Sequence, residues 1–217
     1  MTSSPASLPP IVMYGGGGHG KILIDLLRAL DRYHLVGIVD DGRVPGESVM
    51  GVPILGNGEM LAEIRARGVT LAINAVGGIG KPDVRIAIFD RLKSFGFECP
   101  PLIHPWALVE PSATIADGAQ VLARAYIGSE VQIGFGALIN VGAIVSHECR
   151  IGSYVNISPG AMLAGNVEVG EAAQIGMGVT INLGIKIGAR ARIGNGATVK
   201  ADVPEGGIVR AGHIWPS

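Results

Sequence analysis

From Ile103 onward every sixth residue is Ile, Leu or Val: Ile103, Val109, Ile115, Val121 and so on through Ile187 and Ile193 to Val199, seventeen positions without a gap. The next step falls on Glu205, and there the series ends. The residue four places after each aliphatic is also small or aliphatic, from Ala107 through Cys149 to Ala197. Glycine often follows the aliphatic directly, as at Gly128, Gly134, Gly152, Gly170, Gly176, Gly188 and Gly194. A period of six fits neither the 3.6-residue turn of a helix nor a heptad. It predicts a short strand and a bend per hexad, three hexads closing a triangular coil, and coils stacking as parallel strands. The aliphatics fill the prism, and the small residue lets the narrow interior close. The glycines are read as serving bends with positive φ. The expected fold of residues 102–217 is a left-handed parallel β-helix of hexapeptide repeats.

The first hundred residues follow a different rhythm. Ile11-Val12-Met13-Tyr14 predicts a short strand, and Gly15 to Gly20 a glycine-rich turn broken only by His19. Lys21–Leu30 has amphipathic helical spacing. Leu35–Val39 predicts a second strand ending at Asp40-Asp41, and Val69–Ala75 a third that runs up to Gly77-Gly78. Asp83–Phe95 predicts a second helix. Strand, helix and strand in this order point to a small Rossmann-like parallel sheet in an α/β domain over residues 1–101. The boundary is expected near Pro100-Pro101. Gly15, Gly17 and Gly20 satisfy the GxGxxG spacing, with Asp40 about twenty residues on. About 100 residues hold one mononucleotide half, not a full dinucleotide domain. The surviving reading is a glycine turn at a helix N-terminus, where backbone N–H groups bind phosphate. A nucleotide-linked substrate suits it better than NAD does. The plain alternative is a tight turn without a ligand.

Composition narrows the field. A net charge of −1 gives no basic surface for nucleic acid and no polybasic membrane patch. Mean hydropathy is +0.42, high for a soluble chain. No apolar run approaches the roughly 18–20 residues a bilayer span needs, so no membrane insertion is expected. The start, MTSSPASLPP, lacks the charged and apolar regions of a signal peptide and reads as a loose tail. Two cysteines, Cys99 and Cys149, supply no disulfide or zinc framework, and the cytoplasm is the default location.

Of the five histidines, His147 alone lies inside the repeat. It stands two places after Val145 and two before Cys149, both inward positions, so Ser146-His147-Glu148 must bulge outward. An imidazole with a pKa of about 6.5 accepts a proton at neutral pH, and an adjacent carboxylate raises its basicity. The competing reading is an exposed, idle histidine. His104 before Pro105 reads as a structural cap, His34 as a surface residue and His213 as part of the tail. A three-histidine zinc site of the kind found in β-helix carbonic anhydrases is not expected, because the repeat contains one histidine. Cys149 reads as core filler rather than nucleophile.

The segment from Tyr14 through Gly15, Gly16, Gly17, Gly18 and His19 to Gly20, then Val39-Asp40-Asp41, then Ser146-His147-Glu148-Cys149 within the repeat, together resemble the sialic acid O-acetyltransferase (NeuD-like) family. The resemblance covers nearly the whole chain. Within that family it is similar to bacterial N-acetyltransferases of nucleotide-linked 4-amino-4-deoxy sugars. It implies a homotrimer, acetyl-CoA lying in the groove between neighbouring β-helices, and the sugar nucleotide held by the N-terminal domain. It implies His147 as catalytic base and Glu148 as the carboxylate that tunes it. Gly16, Gly17, Gly18, His19, Asp40, Asp41 and Gly77 match its sugar-nucleotide segments. Asn156, Gly165, Met177 and Asn195 fall where its acetyl-CoA contacts lie. Asn156 stands where some relatives carry a second histidine. The tail Gly212-His213-Ile214-Trp215-Pro216 replaces the usual Gly-x-Pro-Ala-Lys/Arg ending. The expected reaction is direct acetyl transfer to the sugar amine in a ternary complex, with no metal. O-acetylation of a sialic acid or related hydroxyl is the alternative. A catalytically silent scaffold or sugar-nucleotide sensor is the remote one.

Overall fold

The computed structural model describes residues 8–80 and 82–216. The segment read as a loose tail lies, for residues 1–7, outside them. By contact the described chain forms two units, one of residues 8–77 and 87–99, the other of 78–80, 82–86 and 100–216. Among the described residues no helix is long and apolar enough to cross a membrane.

The first unit runs β1 (Pro10–Tyr14), α1 (Gly18–Leu30), β2 (His34–Val39), β3 (Ser48–Val49), β4 (Val52–Gly56), α2 (Met60–Ala66), β5 (Leu71–Asn74) and then α3 (Pro82–Ser94), whose residues from Ala87 on belong to it. Sheet order is β3-β4-β2-β1-β5. The last four strands in that order are parallel, with Met13 opposite Ile38 and Ile73. β3 pairs antiparallel with β4, Val49 opposite Val52. The sheet expected to be wholly parallel is therefore mixed. The cause is local: Met50 and Gly51 both take positive φ, 51° and 83°, the geometry of the tight turn that closes a hairpin. Ile11, Val12, Met13, Ile38, Val39 and Ile73 are buried on the sheet, as are Leu23, Leu26 and Leu27 of α1, and Leu92 of α3 packs with Val12 and Val39.

The second unit is a prism of three parallel sheets. Face 1 carries the strands from Leu102–Ile103 to Ile208–Val209, face 2 those from Leu108–Val109 to Ile214–Trp215, and face 3 those from Thr114–Ile115 to Lys186–Ile187. Inward go the aliphatics of the six-residue series and the small residues four places on, nearly all 0–3% exposed. Equivalent residues stack one coil apart, Ile127 on Val145 and Val145 on Leu163. Each such side chain contributes about 1.5–3 kcal/mol relative to exposure.

Two details differ from the sequence reading. The glycines that directly follow the aliphatics do not have positive φ; that conformation occurs two residues later, at Gly136, Gly142 and Gly160 but also at Arg124, Glu130, Glu148, Tyr154 and Arg190. The first set is small because coils stack closely. A Cβ on Gly134 would lie 2.7 Å from the Gly152 carbonyl carbon, and one on Gly152 would lie 2.9 Å from Glu171 N. The series also does not end at Glu205. Partners are 18 residues apart up to Thr180 and Thr198. Then Arg192 pairs with Ile208 and Thr198 with Ile214, 16 apart. One corner is two residues short, and the inward series resumes in a new phase at Val203, Val209 and Trp215.

Replacing Ile151, 3% exposed in the prism, by Asp would bury a carboxylate with no partner. Ile151→Asp is expected to lower stability by several kcal/mol, of order 3–5. Thermal melting checks this; a wild-type melting temperature would show that the side chain does not point inward.

Candidate active site

In the first unit β1 delivers the chain into the glycine turn. Gly15, at φ 109°, donates its N–H to the Val39 carbonyl at 2.8 Å, and a Cβ there would press on the Ala75 carbonyl. Gly17 is the N-cap of α1 and has no side-chain cap, and a Cβ on Gly17 or Gly18 would meet nothing within 4 Å. The turn's backbone therefore opens on free space at a helix N-terminus. Gly77 follows β5 and faces His19, whose Cβ lies 3.8 Å from the position of an added Cβ.

The two aspartates are largely occupied. Asp40 accepts the Gly16 N–H at 2.6 Å with Oδ2 and the Gly42 N–H at 2.9 Å with Oδ1. It ties the glycine turn to the end of β2. Asp41 accepts the Tyr14 hydroxyl at 2.5 Å with Oδ2 and the Gly58 N–H at 2.8 Å with Oδ1. Arg91 completes the group, donating to the Tyr14 oxygen at 3.0 Å and lying 3.6 Å from Asp41. Burial and the Asp41 carboxylate push the Tyr14 hydroxyl up to about 12. The Tyr14 hydroxyl, the Gly58 N–H and Arg91 together hold Asp41 below its usual value against a smaller opposing effect of burial. Sequence reasoning found Asp40 and Asp41 but not Tyr14 or Arg91 as their partners, since nothing in the spacing of residues 14, 41, 58 and 91 links them.

In the second unit His147 and Glu148 stand on the corner between faces 2 and 3, both exposed. Glu148 adopts φ 60°, a left-handed conformation that costs a non-glycine residue about 1–2 kcal/mol. Its Oε2 lies 2.9 Å from His147 Nδ1. The backbone is fixed by the neighbouring coils: Glu148 N–H donates to the Ser129 carbonyl, and the His147 carbonyl accepts the Asn166 N–H. The imidazole rests over Gly165, one coil on, where an added Cβ would overlap its Cε1 and Nε2. Gly165 is thus the seat of the ring, and its N–H makes no hydrogen bond among the described residues. With Nδ1 donating to the carboxylate, Nε2 is the basic nitrogen. Cys149 turns inward, fully buried, its thiol on the Ala164 carbonyl at 3.1 Å and pushed up by burial.

Met177 and Asn195 lie on a different corner, between faces 1 and 2, stacked so that the Met177 N–H donates to Asn195 Oδ1 at 2.9 Å. Asn156 is on face 1, 2% exposed, in a cavity of about 430 Å³ that Met177 and Asn195 also line. One chain therefore gathers Asn156, Met177 and Asn195 at one edge, and His147, Glu148 and Gly165 at another. Face 2 separates the edges, and its outward ladder exposes Leu108, Ile144, Met162 and Ile214. Among the described residues no group of three or more His, Cys, Asp or Glu side chains could hold a metal ion.

The model of the PglD N-terminal domain matches residues 10–92. A point mutant of perosamine N-acetyltransferase from Caulobacter crescentus, solved with CoA and GDP-perosamine, is 34% identical, with a TM-score of 0.88 and 94% of each chain covered. The acetyltransferase domain of PglB from Neisseria gonorrhoeae, solved with acetyl coenzyme A, is 35% identical, with a TM-score of 0.85 over 94% of this chain and 97% of that one. WeeI from Acinetobacter baumannii is 25% identical, with a TM-score of 0.80 over 92% and 95%. No curated protein sequence matches the chain. With this fold and these relatives, the protein is an acyltransferase. The chain belongs to the sugar acetyltransferase family.

The Tyr14–Asp41 pair makes a prediction in both directions of pH. Tyr14's value is raised on folding, so its contribution is fully present below 10.0 and lost as pH climbs towards about 12. Asp41's is lowered, so its contribution is present above 3.8 and lost as pH falls below that. Tyr14→Phe is expected to weaken the first unit by about 1–2 kcal/mol between those limits. The gap from wild type should close beyond either one. Amide exchange across β1 as a function of pH measures it; a gap independent of pH would separate Tyr14 from Asp41 energetically.

Proposed function

We propose that the protein transfers the acetyl group of acetyl-CoA to the amine of a nucleotide-linked 4-amino-4-deoxy sugar. This places it in the N-acetyltransferase branch of the NeuD-like family, with a left-handed coil, in the cytoplasm. The observation that carries the reading is the His147–Glu148 pair seated on Gly165. Relatives solved with CoA and GDP-perosamine, or with acetyl coenzyme A, support the substrates. The N-terminal domain, residues 1–101, would take the sugar nucleotide through Gly16, Gly17, Gly18, His19 and Gly77. The β-helix domain, residues 102–217, would take the acyl donor through Asn156, Gly165, Met177 and Asn195. Asp40 and Asp41 would act chiefly by holding the glycine turn and its surroundings in shape, since their oxygens already serve Gly16, Gly42, Gly58 and Tyr14.

The chemistry follows from the pair. Nε2 of His147 takes a proton from the sugar amine as its nitrogen attacks the thioester carbonyl. Glu148, on Nδ1, stabilises the imidazolium that forms. The Gly165 N–H is the donor available to the tetrahedral oxyanion. The imidazolium then returns its proton to the departing thiolate. Because a neutral amine is already a good nucleophile, positioning both substrates supplies much of the rate, which favours a ternary complex over an acyl-enzyme.

The assembly follows from the corners. The His147 corner and the Met177–Asn195 corner flank face 2 on opposite sides. Packing the apolar stripe of face 2 about a threefold axis brings the base of one copy beside the donor residues of the next, in a homotrimer.

A thiol-release assay with acetyl-CoA and UDP-, GDP- and dTDP-linked 4-amino sugars tests the activity. His147→Ala is expected to cut kcat by about 10²–10⁴ without affecting melting, and the loss should shrink as pH rises and more amine is neutral. Glu148→Ala should lose less. Gly165→Ala, which pushes the imidazole off its seat, should lower kcat more than it raises the sugar-nucleotide KM. Near-normal kcat in His147→Ala at neutral pH would remove the histidine from the mechanism. Sedimentation is expected to give a trimer, and a stable, active monomer would overturn the shared site.

A further inference from the structure

Most corners of the prism close in the same way. The carbonyl of the residue after the inward aliphatic accepts the N–H three places on, as Glu110 does from Ala113, Gly128 from Val131 and Ser158 from Ala161. Among the described residues this bond is missing at 152–155 and, in three successive coils, at 146–149, 164–167 and 182–185. Those three lie on the corner between faces 2 and 3, the edge that carries His147 and Gly165. The regular turn is thus open along the edge of the candidate site. At 164–167 the coil before supplies a substitute. Cys149, 0% exposed, donates its thiol to the Ala164 carbonyl at 3.1 Å, and the N–H groups of Asn166 and Val167 turn towards its sulfur. The rungs on either side place Val131 and Val167 at the same inward position, so packing alone asks for no polar atom there.

The consequence lies in one peptide plane. The Ala164 carbonyl and the Gly165 N–H belong to the same planar trans unit, so they point in opposite directions. With the carbonyl held inward by a buried thiol, the Gly165 N–H is turned outward, where it makes no hydrogen bond among the described residues. The imidazole of His147 rests over the same residue. A donor that stabilises a developing oxyanion works through its preset direction, and a loosely held peptide loses part of that advantage. A carbonyl that accepts a hydrogen bond also makes the N–H of its own unit a better donor. We propose that Cys149 is a positioning residue for the transfer step: its thiol fixes the Ala164–Gly165 peptide so that the Gly165 N–H faces the reacting carbonyl. This rests on the acetyl transfer proposed above and adds to it a residue that touches neither substrate.

Cys149→Ala and Cys149→Ser, a pair that differs by one hydroxyl, separate this role from packing. Alanine is what the same corner carries at Ala113. Each variant is melted and assayed for thiol release with acetyl-CoA and the amino-sugar nucleotide that the wild type turns over. Cys149→Ala is expected to lose about tenfold in kcat, less than the 10²–10³ typical of deleting an oxyanion donor outright. Its KM for both substrates and the acid limb of its pH profile should stay at wild-type values, because His147 is untouched. Cys149→Ser, which keeps a donor for the Ala164 carbonyl, is expected to hold kcat within about twofold of wild type while melting no higher than Cys149→Ala. Where either variant does not fold, Cys149→Val and Cys149→Thr, again matched in shape, repeat the comparison. A purely structural cysteine would give a kcat that follows melting, with serine no better than alanine. That order, or a wild-type kcat in Cys149→Ala, would overturn the assignment and leave the acetyl-transfer reading standing. A wild type that releases no thiol with any of the amino sugars would bring down both.

Discussion

Backbone hydrogen bonding between stacked coils is the constraint on which the second unit depends. Each short strand donates to the coil one rung on and accepts from the coil one rung back, so the prism's geometry is fixed before any side chain is chosen. Side chains then fill what the ladder leaves. Inward positions must be apolar and of limited volume. Corner positions must either vanish, as at Gly134 and Gly152, or project into solvent. His147 and Glu148 are corner residues of the second kind. Their carbonyl and N–H are held by the Asn166 and Ser129 rungs, so the pair has a rigid base although both side chains are exposed. A catalytic group needs that combination of a fixed root and an accessible tip.

The same logic works at smaller scale in the first unit. A run of glycines has no preferred shape of its own and loses much conformational freedom when ordered. Asp40 supplies the order by accepting the Gly16 N–H from the end of the adjacent strand, and the Gly15 N–H does the same through the Val39 carbonyl. Tyr14, Asp41, Gly58 and Arg91 brace the strand ends beneath. The carboxylates that a dinucleotide fingerprint would assign to a ribose are here engaged in shaping the turn. The start of α1, which Gly17 leaves without a side-chain cap, is where the proposed function seats the anionic part of the sugar nucleotide.

Much of this was legible in the sequence because period six is a direct imprint of the coil. The inward register from Ile103 to Val199 and the outward bulge at His147 followed from counting. What escaped the count was non-periodic. The two-residue shortening after Val199 made a continuing β-helix look finished, because Val203, Val209 and Trp215 belong to a shifted phase. β4 escaped because Pro53 argues against a strand, although it is tolerated opposite Ser48 of the short edge strand β3. α2, at seven residues, is too short to show a helical period clearly. The corner glycines were recognised but given the wrong cause, since sequence alone does not separate a positive φ from a close approach of two backbones.

Gln174 marks the limit of reading by period. A glutamine at an outward rung is what a solvated face should carry, and its neighbours Arg192 on this face and Gln132 and Arg150 on the next are exposed as expected. Its amide atoms are nonetheless buried, in a cavity lined also by Ile79, Pro82 and Asp83, nearly a hundred positions earlier, which carry no repeat and no motif. The same distance separates Arg85 from Gly136 and Asp83 from Arg190 in kind if not in number: short-range pattern sets the scaffold, and long-range contacts decide which rungs stay wet. A solenoid leaves room for function where its regularity is interrupted, as at a corner that projects side chains into solvent. The regular positions are committed to stacking. On the proposed function a change at His147 acts on the reaction, whereas a change at Ile151 acts on the fold.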